Sequence, residues 1–162
     1  AIPGVNENIV VSAWDVLAGK VKLGKRVAVV GGGSVGCETA DFLSAQGKQV
    51  TLVEKLDEIG HDLVERVKYF LMPRLAQAGV QIFTSTHVLE ILSDGIKVEQ
   101  RGKAQELRGY DNVVLSLGTR PLNSLEKELS GSGVYYSVIG DAKKPGNAME
   151  AIREAAEIAR KI

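Results

Sequence analysis

The stretch Val29-Val-Gly-Gly-Gly-Ser-Val-Gly36 is the most informative part of this chain. Its glycines satisfy the pattern G-x-G-x-x-G, which is weak alone because glycine-rich turns are common. The flanking sequence raises its weight, since an apolar run at residues 25–30 precedes it and a helical pattern follows at about residues 35–46. A second β-branched run, Gln49–Val53, comes next and ends at Glu54. These segments predict one β-α-β unit of about thirty residues.

The glycine-rich turn has the features of a diphosphate site. We expect Gly31 to permit the sharp turn out of the strand, Gly33 to let a diphosphate approach the backbone, and Gly36 to let the helix pack closely on the sheet. The backbone N–H groups at the helix start, together with the helix dipole, stabilise an anion without requiring a lysine. The alternative is a glycine turn that binds no ligand. The predicted site comprises Gly31, Gly32, Gly33, Ser34, Val35 and Gly36.

Glu54 follows the second strand at the position where such units carry an acidic residue. We expect its carboxylate to accept hydrogen bonds from the adenosine ribose, each contributing roughly 1.5–3 kcal/mol. A 2′-phosphate about 4 Å away would be repelled by about 4 kcal/mol per charge pair at an effective dielectric of about 20. NADH is therefore predicted to bind in preference to NADPH. Lys55 is a further predicted contact that softens this repulsion, whereas Asp57 and Glu58 add negative charge.

The rest of the chain first continues the α/β pattern and then departs from it. Apolar residues at helical spacing predict a helix over residues 62–78, in which Pro73 marks a kink or a break, and residues 80–83 predict a third parallel strand. Three short alternating runs at residues 87–108, separated by hairpin-type turns, predict an antiparallel meander. Residues 112–117 then return to the sheet. The predicted fold class is α/β, a Rossmann-like central parallel sheet flanked by helices, with a three-stranded antiparallel meander as crossover.

Composition restricts the kind of protein further. Of the 162 residues, 44% are apolar and 25% are charged, which is ordinary for a soluble globular domain. Twenty basic side chains balance twenty acidic ones, so no net field attracts nucleic acid or an anionic membrane. The single cysteine allows no internal disulfide, and no apolar run is long enough to span a bilayer. We therefore expect a cytoplasmic setting.

Several reactive side chains lack the arrangement that their chemistry needs. Cys37 has no second cysteine and follows the last glycine of the turn, so we expect a packing role. His61 and His87 are far apart in sequence and show no ligand spacing, and no G-x-S-x-G motif is present. We expect both histidines to be surface or turn residues. No metal site and no catalytic acid or base is predicted.

The turn and its flanks, residues 29–40 and 49–54, resemble the pyridine-nucleotide domain of the two-dinucleotide-binding flavoproteins. The meander at residues 87–108 is similar to the antiparallel layer that replaces a crossover helix in that superfamily. Val138-Ile-Gly-Asp-Ala-Lys-Lys-Pro-Gly-Asn147, followed by Ala151-Ile152, resembles the closing segment of the enoate reductase and 2,4-dienoyl-CoA reductase group. The likeness extends over nearly the whole chain.

This resemblance implies an NADH-binding domain that delivers hydride from NADH to FAD on a neighbouring domain, for reduction of an activated C=C bond such as a 2-enoate. In this group a TIM barrel carries FMN and an iron–sulfur cluster, and the nucleotide domain is inserted into an FAD domain. The chain has one cysteine, too few for a four-cysteine cluster, and one glycine fingerprint. We therefore expect one piece of a larger enzyme, with NADH and the flavin-bearing domains as its partners. It is not expected to turn over alone.

The resemblance also assigns segments and residues. Residues 1–20 are the connector from the FAD-domain side, with a short helix near residues 14–17. Residues 21–131 are the NAD(H)-binding domain, and residues 132–162 are the closing strand (134–139) and helix (147–160) of the FAD-domain segment. Asp141 matches the family's contact to FAD, and Gly118 matches a point where the chain passes close to the nucleotide. Glu38 matches an acidic position near the nicotinamide, with a helix-dipole partner as its alternative.

Two other functions remain open at this point. The fingerprint could bind the ADP half of FAD, because Glu54 would contact either adenosine ribose. The chain could also be a non-catalytic module that senses nucleotides or binds a partner through its tail helix.

Overall fold

The structure, a computed structural model, describes residues 2–161. The chain divides into two compact units, one ending at Gly118 and the other beginning at Thr119. The strands and helices of the first unit are β1 (Val10–Ser12), α1 (Ala13–Leu17), β2 (Arg26–Val30), α2 (Ser34–Ala45), β3 (Gln49–Val53), α3 (Glu65–Gln77), β4 (Gln81–Phe83), β5 (Thr86–Leu92), β6 (Gly95–Gln100), β7 (Lys103–Arg108) and β8 (Asn112–Leu115).

The centre of the first unit is a parallel sheet with strand order β1-β8-β2-β3-β4. β2 lies in its middle and is buried on both faces. Val27 and Val29 pack in the cluster on one face, while Ala28 and Val30 pack in the cluster on the other. Burial on both faces explains why this strand appears in the sequence as a continuous apolar run rather than an alternation.

The two faces of the sheet are covered by different elements. The helices cover one face, where Leu43 of α2 and Leu71 and Leu75 of α3 are almost completely buried. The antiparallel sheet β5-β6-β7 contributes Ile91 and Ile96 to the cluster on the opposite face. Burying these apolar faces is the main favourable contribution to folding. The predicted α/β fold with an antiparallel meander is therefore confirmed.

Three details of the first unit differ from the sequence prediction or add to it. β1 at Val10–Ser12 pairs in parallel with β8 at the sheet edge, whereas only a connector and a short helix were predicted there. α3 begins at Glu65 rather than near residue 62. The same helix continues through Pro73 to Gln77, although proline removes one helical hydrogen bond. Leu71 and Leu75, on either side of Pro73, are buried and hold this part of the helix on the core.

The second unit contains α4 (Ser124–Leu129), a 3-10 turn (Gly140–Ala142) and α5 (Ala148–Ala159). α5 was predicted, and Asn147 begins it in a capping box with Glu150. The predicted strand at residues 134–139 is wrong, since these residues form no strand and the side chains of Val134 and Tyr135 are exposed. A strand needs a neighbour to pair with, and residues 119–161 contain none. The segment boundaries at residues 20 and 131 stay predictions.

The helices are short on the scale of a lipid bilayer. Across residues 2–161 we find no helix whose length and apolar character would let it cross a membrane.

Candidate functional site

A cleft of about 480 Å³ lies where β2, β3 and β8 end at the carboxyl edge of the parallel sheet. β2 is flanked by β3, the next strand of the sheet in sequence, and by β8, its last strand in sequence. The direction in which the chain builds the sheet therefore reverses beside β2, and open α/β sheets bind ligands at such points. Seven of the eleven predicted binding residues line this cleft, namely Gly31, Gly33, Ser34, Val35, Glu54, Lys55 and Gly118.

In the glycine-rich segment that joins β2 to α2, a Cβ would overlap backbone atoms at Gly31 and at Gly36. Gly31 has a φ of 100°, and a Cβ there would overlap the carbonyl oxygen of Ser116. A Cβ on Gly36 would overlap the carbonyl oxygen of Gly31. Gly36 therefore allows the first turn of α2 to lie against the end of β2, which agrees with the close packing expected from the sequence.

Glu54 is only 6% exposed, and each of its two carboxylate oxygens accepts a hydrogen bond from a backbone N–H. Oε2 accepts from the N–H of Gly32 at 2.5 Å, and Oε1 accepts from the N–H of Leu56 at 2.8 Å. These two bonds offset the cost of burying the carboxylate. Each carboxylate oxygen can accept a second bond, so the residue keeps capacity for a ligand hydroxyl.

The start of α2 already carries an anionic side chain. Gly33 is the N-cap residue of this helix and has no side chain with which to cap it. The Asp62 carboxylate takes that place: Oδ1 accepts from the backbone N–H of Ser34 at 2.7 Å, and Oδ2 accepts from the Ser34 hydroxyl at 2.8 Å. Partial burial raises the pKa of Asp62, but these hydrogen bonds outweigh it and hold the pKa below its ordinary value. Asp62 is therefore ionised at neutral pH.

The loop between β3 and α3, which carries Asp62, is fixed against the glycine turn. The N–H of Gly60 donates to the carbonyl of Gly32 at 2.6 Å, and the N–H of Leu63 donates to the carbonyl of Gly60 at 3.0 Å. The side chain of Ile59 lies so close to Gly32 that a Cβ on this glycine would meet it at 2.8 Å. Contacts of residues just before and just after Asp62 in the sequence therefore fix the position of its backbone.

The remaining predicted binding residues lie elsewhere. Gly32 is buried in the turn and Gly36 is buried in α2, while Glu38 is exposed on α2 outside the lining of the cleft. Asp141 belongs to the second unit, where its carboxylate accepts a hydrogen bond from the N–H of Gly146 at 3.1 Å. Its carboxylate therefore stabilises the loop before α5, and its predicted contact with FAD stays a prediction.

Several residues that line the cleft were not predicted as part of a site, and Asp62 is the most important of them. Asp62 is separated from Ser34 by 28 positions, so no local pattern connects the two. His61 and His87 are exposed, as expected, but both also line the cleft, together with Ser116. The one sequence feature that pointed to an outside capping group was Gly33 at the N-cap position, which leaves the start of α2 without a side-chain cap of its own.

Cys37 lies beneath the turn and is fully buried. Its Sγ donates to the carbonyl oxygen of Gly32 at 3.2 Å. Burial is the main cause that raises the pKa of this thiol, and the negative charge of Asp62 raises it further, to about 12. The side chain is therefore a neutral packing group at physiological pH, and it supplies no reactive thiolate.

The five-stranded parallel sheet, its antiparallel layer and the glycine turn at the cleft define a Rossmann-like α/β domain. A family model described as pyridine nucleotide-disulphide oxidoreductase matches residues 1–155, and the chain belongs to that family. The resemblance to two-dinucleotide-binding flavoproteins noted from the sequence is thereby confirmed.

The similar proteins are much longer than this chain. An NADH oxidase of Thermoanaerobacter brockii is 40% identical over 157 residues, which is 94% of this chain and 24% of that protein. A cinnamate reductase of Clostridium sporogenes is 32% identical over 156 residues, covering 94% of this chain and 23% of that protein. A solved structure of 2-naphthoyl-CoA reductase with 2-naphthoyl-CoA matches 99% of this chain and 24% of its own, with 31% identity and a TM-score of 0.85. The chain thus spans about a quarter of the length of these relatives.

Proposed function

We propose that this domain binds NADH and holds it for hydride transfer to FAD on a neighbouring domain of a larger flavoenzyme. The observation that carries the proposal is the convergence of three features on one cleft. These are the glycine turn, the start of α2 and the buried carboxylate of Glu54. The cleft volume of about 480 Å³ is within the ordinary range for small-molecule sites. Membership of a family described by its pyridine nucleotides supports the same ligand.

Each part of the cleft would contact a different part of the dinucleotide. The first N–H groups of α2 have no partners within the helix, so those of Ser34 and Val35 would donate to the diphosphate. Gly33 presents no side chain to that group. Glu54 and Lys55 would contact the adenosine ribose, while Gly118, just after β8 with a φ of 81°, would lie beside the nucleotide chain. The Glu38 carboxylate would lie near the nicotinamide.

The chemistry in this proposal belongs to the bound nucleotide, which supplies a hydride when a flavin is beside it. The residues of this chain bind and orient the nucleotide, and none of them is assigned an acid or base role. We expect NADH to be preferred to NADPH, because a 2′-phosphate would lie near the Glu54 carboxylate. Turnover is expected only in the presence of the flavin-bearing domains.

The electrons would finally reduce an activated C=C bond in the parent enzyme. Support comes from the relatives named cinnamate reductase and 2-naphthoyl-CoA reductase, since cinnamate is itself a 2-enoate. The FMN and iron–sulfur cluster of such a pathway would belong to other domains, because Cys37 is the single cysteine of this chain. Residues 1–20 and 132–162, including Asp141, would connect to the FAD domain. We place the parent enzyme in the cytoplasm.

Calorimetry with the 162-residue chain tests the proposal directly. We expect NADH to bind with a 1:1 stoichiometry, NADPH to bind at least about tenfold more weakly, and NADH not to be oxidised without added flavoprotein domains. Purified protein that carries a flavin absorbance band, or that binds FAD more tightly than NADH, would assign the fingerprint to FAD instead. Absence of binding to either dinucleotide would leave a partner-binding module as the function.

A further inference from the structure

We propose that the Asp62 carboxylate occupies the anion position at the start of α2, that a diphosphate must displace it, and that Asp62 therefore sets the affinity of the cleft for dinucleotides. The proposal deepens the nucleotide-binding function proposed above and rests on it where NADH is concerned. The part that concerns the anion position can be tested without any nucleotide.

The contacts of Asp62 coincide with those that a phosphate needs. Its two carboxylate oxygens accept from the backbone N–H and the hydroxyl of Ser34, at 2.7 and 2.8 Å. The space beside Gly33 is also in use, because a Cβ built on this glycine would meet Oδ1 of Asp62 at 3.3 Å. A carboxylate and a phosphate cannot accept from the same N–H in the same place. The two anions therefore compete for the start of the helix.

The side chain can leave this position at small structural cost. Asp62 is exposed overall, so rotation about its side-chain bonds would carry the carboxylate into solvent. The backbone beside it can stay in place, since Gly60 remains bonded to Gly32 and Leu63 to Gly60. Displacement thus needs one side chain to move while the loop keeps its contacts with the glycine turn.

Displacement nevertheless weakens binding for two reasons. The incoming diphosphate replaces an anion that already stabilises the helix dipole, so only the difference between the two anions contributes to affinity. The displaced carboxylate also stays near the diphosphate, and one charge pair at about 4 Å costs about 1 kcal/mol in a water-like dielectric, or about fivefold in affinity. An uncharged side chain of the same shape would remove most of this penalty.

Asp62→Asn is the variant that tests the proposal. Asparagine keeps an oxygen that can accept from Ser34, so the cap and the fold are retained. Glu65→Gln is the matched control, because it removes the same charge from an exposed position in the first turn of α3. We expect calorimetry to show that inorganic pyrophosphate and NADH each bind Asp62→Asn at least about fivefold more tightly than they bind the parent. For Glu65→Gln the two dissociation constants should change by less than about twofold.

Two further measurements separate competition from a purely structural effect. Adenosine, which has no phosphate, should bind the parent and Asp62→Asn equally. In NMR spectra, pyrophosphate should shift the backbone amide of Ser34 in both proteins, but at a lower concentration in the variant. Equal or weaker pyrophosphate binding by Asp62→Asn, or a Ser34 amide that pyrophosphate does not shift, would overturn the proposal.

The same measurements test the proposed NADH function separately from the role of Asp62. Tighter pyrophosphate binding by Asp62→Asn without NADH binding by either protein would support competition at the helix start and contradict the NADH function. NADH binding that Asp62→Asn leaves unchanged or weakens would support the NADH function and contradict the role of Asp62. In that case the carboxylate stays on Ser34 and holds it for the ligand.

Discussion

The backbone N–H of Gly32 donates a 2.5 Å hydrogen bond to the carboxylate of Glu54, which joins the middle of the glycine turn to the end of β3. The second oxygen of the same carboxylate accepts from Leu56 at 2.8 Å. Glu54 therefore has a structural role before any ligand arrives, in addition to the ribose contact proposed for it. The two roles can be separated by substitution.

Replacement of Glu54 by alanine should destabilise the domain. The N–H groups of Gly32 and Leu56 would each lose a charged partner, at a cost of about 1–3 kcal/mol for every group left buried without one. Glu54→Gln keeps one acceptor oxygen and the shape of the side chain, so its loss should be smaller. Urea denaturation of the three proteins measures the difference. Equal free energies of unfolding for the parent and Glu54→Ala would show that the two hydrogen bonds contribute nothing.

The negative charge of Glu54 should determine the choice between NADH and NADPH. In Glu54→Gln the charge is removed while the side chain can still meet a ribose hydroxyl. We expect the ratio of the NADPH and NADH dissociation constants to fall by about tenfold, which corresponds to about 1.4 kcal/mol. Calorimetry with both nucleotides gives the ratio. A ratio that stays at the parent's value would assign nucleotide selectivity to other residues, such as Lys55.

Gly33 and Gly36 should respond differently to the same substitution. The φ of Gly33 is −68°, which any residue adopts, so Gly33→Ala should fold normally but weaken NADH binding by about tenfold, through contact with the diphosphate. Gly36→Ala would overlap the carbonyl oxygen of Gly31 and should cost about 1–3 kcal/mol of stability. Thermal melting and calorimetry on both variants test the pair. Tight NADH binding by Gly33→Ala would contradict a close approach of the diphosphate at that residue.

Cys37 should make stability depend on pH only in the alkaline range. Its pKa is about 12 in the folded protein against an ordinary value of 9.0, so the unfolded chain loses its proton first. The contribution of the neutral thiol is therefore complete below about pH 9 and is lost as the pH rises toward 12, by up to about 1.4 kcal/mol per pH unit. Denaturation of the parent and Cys37→Ala at pH 8, 10 and 11 isolates this slope. Parallel curves for the two proteins would mean that the thiol does not titrate as burial requires.

Much of the fold could be predicted because its signals are local. The apolar run of β2 is followed by a glycine-rich segment in which Gly31 and Gly36 leave no room for a Cβ, and the run of β3 follows the next helix. The Arg101-Gly102 turn adopts positive φ at both residues, as a tight hairpin requires. β1 was not predicted because three residues are too few to show the alternation or apolar run that indicates a strand. The segment at residues 134–139 was misassigned because an apolar run indicates a need for burial and says nothing about which strand is available to pair with it.

The candidate site could be predicted only in part for a related reason. The glycines and Glu54 belong to one continuous motif, so their spacing is visible in the sequence. Asp62 reaches the same cleft through a loop whose path depends on the bond between Gly60 and Gly32. That path is a tertiary property, and neither helical nor strand periodicity contains it.

The attachment of the β3–α3 loop to the glycine turn has a consequence for local motion. Gly60 is bonded to Gly32, and Asp62 caps α2 at Ser34, so detachment of the loop also removes the cap from the helix. Loop opening and fraying of the first turn of α2 are then one cooperative event rather than two. The amides of Ser34 and Gly60 would consequently exchange with solvent deuterium at matched rates, which makes the two segments a single dynamic unit around the cleft.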